Sequence, residues 1–274
     1  MTHLNIRKIA YLFFLLIGLS LSFLTACKKK DQAAPTLQTD SVTDFDGNVY
    51  KTVKIGTQWW MSQNLQVKHY RNGLSIKEID NNNSSLWDSS YTKGAFCMFG
   101  YGESGTTMGD TIGTKSIRMG LLYNWYSIND TSNIAPKGWH VATENDWQQL
   151  ESYLGMSSTD VLSMGWRGTN QANKMRFKNY GWNLSDNMFL VYGTNESGFS
   201  ALGSGCRITY NINNGLSMWG DFQSPGYNAY WWTATQHPDS TKCSWYRSLN
   251  YNKATVFRYY VRKSYGLSIR CVKD

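Results

Sequence analysis

Only four histidines and four prolines occur among 274 residues, and the histidines give little purchase for chemistry. His3 belongs to an amino-terminal leader, and His69 and His237 stand alone. His140, between Trp139 and Val141, has no marked acid or nucleophile beside it, so it reads as a hydrogen-bonded structural residue and a hydrolase triad has no support. No two cysteines lie within a few residues of each other, which excludes the usual zinc spacings. Acidic residues are dispersed, whereas a calcium site gathers about six to eight oxygens. Asp44-Phe45-Asp46-Gly47-Asn48 is the stretch best suited to calcium, yet a hairpin turn explains it without an ion. Gln236-His237-Pro238-Asp239 likewise reads as a turn. No metal and no other cofactor is expected. There is no repeat of about 20–50 residues, which argues against a solenoid, and no basic stripe with interleaved aromatics of the kind that binds nucleic acid.

Charge is unevenly placed. Arg7 and Lys8 precede an uncharged run from Ile9 to Ala26, which closes on Leu24-Thr25-Ala26-Cys27. A basic start, an apolar run and small residues before a single cysteine resemble a bacterial lipobox, which implies cleavage before Cys27 and lipidation of its thiol. The run is close to the ~18 residues of a spanning helix, so an uncleaved anchor is the alternative. Either form places the remainder outside the cytoplasm. Removing residues 1–26 lowers the formal charge from +8 to +6, and Lys28, Lys29 and Lys30 supply half of what is left. A lysine cluster at that place contributes about 1 kcal/mol per residue to attachment at an anionic surface. From Asp31 onward the net charge is only +3, which removes the case for nucleic-acid binding.

Residues 28–41 form a polar segment with Pro35 and no periodicity, expected to be a flexible tether. About 230 residues follow, enough for one large or two small domains, and with no break in composition to divide them they read as one domain. Twelve tryptophans, eighteen tyrosines and eleven phenylalanines outweigh a modest aliphatic content, so aromatic rings are expected to fill most of the core. Cys97, Cys206, Cys243 and Cys271 are an even set in a compartment where disulfides persist, and three pairings are open.

Val49, Val53 and Ile55 share one face at period two, and a turn at Gly56-Thr57-Gln58 leads to Trp59-Trp60-Met61, which reads as an opening hairpin. Asp80 to Arg118 has no sustained period and reads as a long loop. Leu121 to Ile128 reads as a short helix. The clearest helix starts at Thr143 with Asp146 in a capping box, carries Trp147, Leu150, Glu151 and Leu154 as a stripe, and ends at Gly155. A third helix is expected over Asn170 to Lys178. Strands are expected over Gly198–Ser217, Tyr227–Thr235, Ser244–Tyr251, Ala254–Arg262 and Gly266–Val272.

Several blocks together resemble the Fibrobacter succinogenes major paralogous domain family. They are Val42-Thr43-Asp44 with Asp46 to Tyr50, Trp60 to Leu65, Gly120 to Tyr126, Pro136 to Val141, Asn195 to Leu202, Tyr230 to Thr235 and Tyr265 to Val272. The resemblance covers residues 42–274 and implies a compact α+β domain, similar to the C-type lectin-like superfold that also holds the formylglycine-generating enzymes, with short antiparallel strands, two or three helices and long ordered loops. It further implies a surface or secreted protein, often a lipoprotein, with no activity generally assigned. Family positions imply a Cys97–Cys271 pair. Cys206 and Cys243 stand where the family is expected to have other residues, which suggests that they partner each other.

The domains expected are therefore a signal peptide over 1–26, a lipidated tether over 27–41 and a folded domain over 42–274. The function expected is that of a non-enzymatic binding or adhesion lipoprotein of the bacterial envelope, with Lys28 after the lipid cysteine compatible with outer-membrane sorting. Its partners would be the membrane, through the anchor, and a polysaccharide or surface protein, with no nucleic acid. Alternatives are a formylglycine-generating-type enzyme and a structural envelope component. The enzyme would need a closely spaced cysteine pair, whereas Cys243 and Cys271 are far apart in sequence. Consecutive strand residues face opposite ways, so either one of Trp231 and Trp232 is exposed or layers cover both sheet faces. The same holds for Trp59 and Trp60. A sugar site is sought first at Trp232, Tyr230 and Trp219, with Asn228 and Asp221 as polar partners.

Overall fold

The computed structural model describes residues 36–79, 86–87, 91–98, 111–112, 115–116, 119–178, 182, 193–208 and 222–274. The leader, Cys27, Trp219, Asp221 and most of the segment over 80–118 lie outside these residues. The chain divides into Met1–Thr36 and Leu37–Asp274, and all that follows concerns the second unit. Among the described residues no helix is long and apolar enough to cross a membrane.

The fold is α+β, with short, mostly antiparallel strands and, among the described residues, three helices. In chain order the strands of its two main sheets are β1 (Thr39–Thr43), β2 (Val49–Ile55), β3 (Gln58–Met61), β4 (Trp139–Val141), β5 (Gly165–Arg167), β6 (Asn228–Gln236), β7 (Cys243–Asn250), β8 (Val256–Arg262) and β9 (Cys271–Lys273). One sheet has the order β1-β2-β3-β9-β4 and the other β5-β8-β7-β6, all pairs being antiparallel. The helices are α1 (Glu144–Tyr153), α2 (Ser158–Leu162) and α3 (Gln171–Met175). A smaller sheet pairs Lys77–Glu78, Ala95–Cys97 and Leu122–Tyr123, so the segment read as a long loop contains a strand.

Local chemistry explains the opening. The Asp44 carboxylate accepts the N–H groups of Asp46 and Asn48 at 3.0 and 2.9 Å and the Tyr50 hydroxyl at 2.5 Å. With Gly47 at φ +82°, these bonds close the β1–β2 turn and occupy the oxygens that a calcium ion would need. Ile55 pairs with Gln58 across a two-residue loop, which requires positive φ, supplied by Gly56 at +63°. The segment expected to be a tether ends early, because Thr39–Thr43 pairs with β2 along its whole length.

Helix α1 forms as its sequence dictates. The Thr143 hydroxyl accepts the Asp146 N–H at 3.2 Å while Asp146 accepts the Thr143 N–H at 2.8 Å, and Gly155 at φ +95° follows the end. Leu121 to Ile128 departs from expectation. Leu121 and Tyr123 donate to Leu65 and Leu267 carbonyls at 3.0 and 2.9 Å, so segments distant in sequence capture the backbone. Only a short 3-10 turn, Trp125–Ser127, remains beneath the Asn124 cap. Helix α2, capped by Ser157, was not anticipated, being one turn long with only Val161 buried.

Both sheet faces at β6 are covered. Trp231 lies 5.9 Å from Trp147 and 5.6 Å from Phe199 in a cluster shared with Trp60, Leu150 and Met175. Trp232 points the other way into a cluster with Tyr123, Trp125 and Trp139. Each indole N–H is satisfied, Trp231 by the Asn64 side-chain oxygen at 2.9 Å and Trp232 by the Tyr123 carbonyl at 2.8 Å. Arg270, fully buried, donates to Asn64 Oδ1 at 2.7 Å and to the Met61 and Phe199 carbonyls at 2.8 Å each. Burial lowers its pKa to about 9, which leaves it a cation at neutral pH.

His140 ties three parts together, with Nδ1 2.7 Å from Asp274 at the chain end and Nε2 3.1 Å from Asp146 in α1. The bond to Asp146 outweighs burial and raises the histidine pKa. A raised folded pKa contributes stability that is complete below the ordinary value of about 6.5 and is lost as pH rises through the folded value. His140→Gln is therefore expected to cost more stability near pH 6 than near pH 9, as read from urea denaturation midpoints at the two values. An equal loss at both would show that the ring acts only by packing.

Candidate functional site

The sheet β5-β8-β7-β6 has one sealed face and one that opens toward its edge. On the sealed side, Arg247 donates to both oxygens of Glu144 at 2.9 and 2.8 Å and through Nε to Glu151 at 2.8 Å. Arg167 bonds both Glu151 oxygens at 2.9 Å, and Arg258 bonds Glu144 at 2.6 Å. Burial opposes ionisation of Glu144, but Arg247 and Arg258 outweigh it and hold its carboxyl below the usual range. Three guanidinium groups and two carboxylates thus fasten α1 across β7, β8 and β5, beneath Trp147 and Trp231.

Strand register fixes the open side. Trp166, Phe257, Ser248 and Tyr230 form one row across the sheet, and Tyr259, Tyr246 and Trp232 form the next. Ring centroids are 4.9 Å apart for Trp166 and Phe257, 6.1 Å for Phe257 and Tyr246, 6.1 Å for Tyr246 and Tyr230, and 6.0 Å for Phe257 and Tyr259. Exposure grades along the strip, from 41% at Trp166 and 39% at Tyr259, through half-buried Phe257, Tyr246 and Tyr230, to none at Trp232. Burial raises the Tyr230 and Tyr246 hydroxyl pKa values far above neutral, so both hydroxyls stay protonated and able to donate. Such a strip offers flat apolar faces with hydroxyls at their edges.

The residues sought from sequence meet this site only in part. Tyr230 lies on the strip. Trp232 does not serve as a surface platform, because the layer containing Tyr123 and Trp125 covers its side of β6. Asn228 is half-buried at the start of β6, where it accepts the Asn250 amide at 2.8 Å. Trp219 and Asp221 lie outside the described residues. Trp166, Phe257, Tyr246 and Tyr259 were missed, although Phe257 and Tyr259 alternate with Arg258 at period two in a segment already read as a strand.

The expected disulfides are not formed. All four cysteines carry thiols, Cys97 and Cys271 belonging to different core clusters and Cys206 being buried while Cys243 is half-buried at the start of β7. They fill space as small apolar side chains. Burial pushes the Cys206 thiol up to about 12 and raises that of Cys271 as well. Among the described residues no group of three or more His, Cys, Asp or Glu is placed to hold a metal ion. The His237 ring lies 4.0 Å from that of Tyr260 and accepts the Asp239 N–H at 3.2 Å, which makes Gln236 to Asp239 the turn expected.

The family model described as the Fibrobacter succinogenes major domain matches residues 53–273. No curated protein and no solved structure matches the chain.

Two outcomes are expected. Glu151→Ala, which leaves buried arginines unpaired, should cost about 3–5 kcal/mol of stability in urea denaturation, whereas Tyr259→Ser should stay within about 0.5 kcal/mol. Native maleimide labelling followed by peptide mass mapping should tag Cys243 well before Cys206 and Cys271.

Proposed function

The chain belongs to the Fibrobacter succinogenes major domain family, and from that membership and its aromatic strip we propose that it is a non-enzymatic binding lipoprotein of the bacterial envelope that holds a polysaccharide. In this reading Cys27 carries the lipid, the following residues to about Leu37 form the tether, and the domain presents a lectin-like surface to its ligand. The observation that carries the proposal is the strip itself: Trp166, Phe257, Tyr246, Tyr259 and Tyr230 in contact on the open side of a sheet whose other side is locked. Aromatic faces stack on the apolar face of a sugar ring, and the Tyr230 and Tyr246 hydroxyls supply donors for its hydroxyls. The short antiparallel strands and three helices suit a lectin-like domain. An enzyme of formylglycine-generating type gains no support, because the Cys271 thiol is sealed in the core and Cys243 lies in the other main sheet.

The full chain, purified in detergent, should give a saturable change in tryptophan fluorescence with at least one member of a panel of bacterial and plant polysaccharides. Trp166→Ala should weaken that binding about tenfold or more, equivalent to about 1.4 kcal/mol, without altering the unfolding midpoint. The response should be the same with calcium and with chelator. Silence across the panel from folded protein would count against the proposal and in favour of a protein partner or a structural role.

A further inference from the structure

We propose that the polymer on the aromatic strip is acidic, a polysaccharide bearing uronate-type carboxylates; this rests on the glycan reading above. The last 53 residues, 222–274, hold eight lysines and arginines but only two acids, Asp239 and Asp274. The four strands that build the strip contain no Asp or Glu at all. Much of the positive charge is already committed. Arg247 and Arg258 are neutralised by Glu144 and Glu151 on the sealed face, Arg270 is enclosed by carbonyls, and Lys263 is buried with its ammonium 2.6 Å from the Gln236 side-chain oxygen. Lys273 belongs to the other main sheet.

Of what remains at the surface, one cation stands beside the strip. Lys253 places its ammonium 5.4 Å from the Trp166 ring centroid, at the most exposed end. Arg262, opposite Cys243, alternates onto the Arg258 side of β8, away from the strip, and exposed Lys242 lies in the turn before β7. Asp239 is the one acid in that turn. A ring face binds the apolar side of a sugar, and a cation beside it meets a carboxylate projecting from the sugar's edge. An exposed pair is worth little alone, but here it adds to stacking on the ring it adjoins, and a polymer repeats its charge. Such attraction is screened by salt, with a Debye length of about 10 Å at 0.1 M.

The full chain would be titrated with carboxymethylcellulose and hydroxyethylcellulose, which share a backbone and differ in charge. At low salt the acidic polymer should bind about threefold more tightly, and the gap should close by about 0.5 M salt. Lys253→Gln should bring the acidic polymer down toward the affinity of the neutral one, Arg262→Gln on the opposite face should not, and Trp166→Ala should weaken both. Equal affinities at low salt would overturn the charge inference while leaving the glycan reading intact. Acidic-polymer binding that survives Trp166→Ala would overturn it as adsorption to a basic surface away from the strip. Binding of neither polymer by folded protein would overturn it together with the reading beneath it.

Discussion

The structure depends on one constraint: strand β6 carries two consecutive tryptophans, and both are excluded from water. Strand geometry sends their side chains to opposite faces, so a layer must stand on each side. Helix α1 and Phe199 supply one through Trp147, and the segment around Tyr123 and Trp125 supplies the other. Fully burying a large side chain is worth roughly 1.5–3 kcal/mol, and two such rings on adjacent residues fix strand register, because a slip of one position would exchange their environments. Asn64 reinforces that choice by accepting from both Trp231 and Arg270, joining β6 to the segment that leads into β9.

The ion network under the same sheet has a different character. Desolvating three guanidinium groups and two carboxylates offsets most of their attraction, so the network contributes less to net stability than its short distances suggest. Its consequence is geometric. Glu144 and Glu151 lie two turns apart on α1 and reach arginines on three strands, which sets the position of the helix against the sheet. With one face held in this way, the rings on the other have a fixed spacing. A preorganised platform binds with less ordering cost than one assembled from mobile loops.

Much of this was legible in the sequence, for identifiable reasons. Thr143, Asp146 and Gly155 announce α1 because capping is local chemistry, and the alternating residues of β2 announce a strand with one buried face. Glu151 was visible within the apolar stripe of α1, but its partners on β5 and β7 lie far along the chain and no local pattern reveals them. Leu121 to Ile128 misled for a related reason: its crowded aromatics reflect burial on several sides, while its backbone is captured by Leu65 and Leu267. The sugar site was sought at Trp232 because tryptophan is the strongest stacking residue, yet exposure depends on what covers a sheet. Tyr230, sought in advance, lies on the strip, while its companions on β7, β8 and β5 were not named, since their adjacency arises only from pairing between strands.

The division of the aromatic residues also bears on the kind of function the domain suits. Strongly perturbed ionisable groups gather in clefts when they serve catalysis. Here Glu144, Arg247, Asp146 and Arg270 are perturbed by burial and by partners that already satisfy them, and they lie under the sheet or inside the core. The open face has tyrosines whose hydroxyls remain protonated at any physiological pH, together with rings that carry no proton to exchange. Groups of that kind donate hydrogen bonds and present flat surfaces, but they are not poised as general bases near neutrality. In the proposed reading the chemistry offered to a ligand is that of contact, with the buried ion network of Glu144, Glu151 and their arginines holding the sheet that carries the strip.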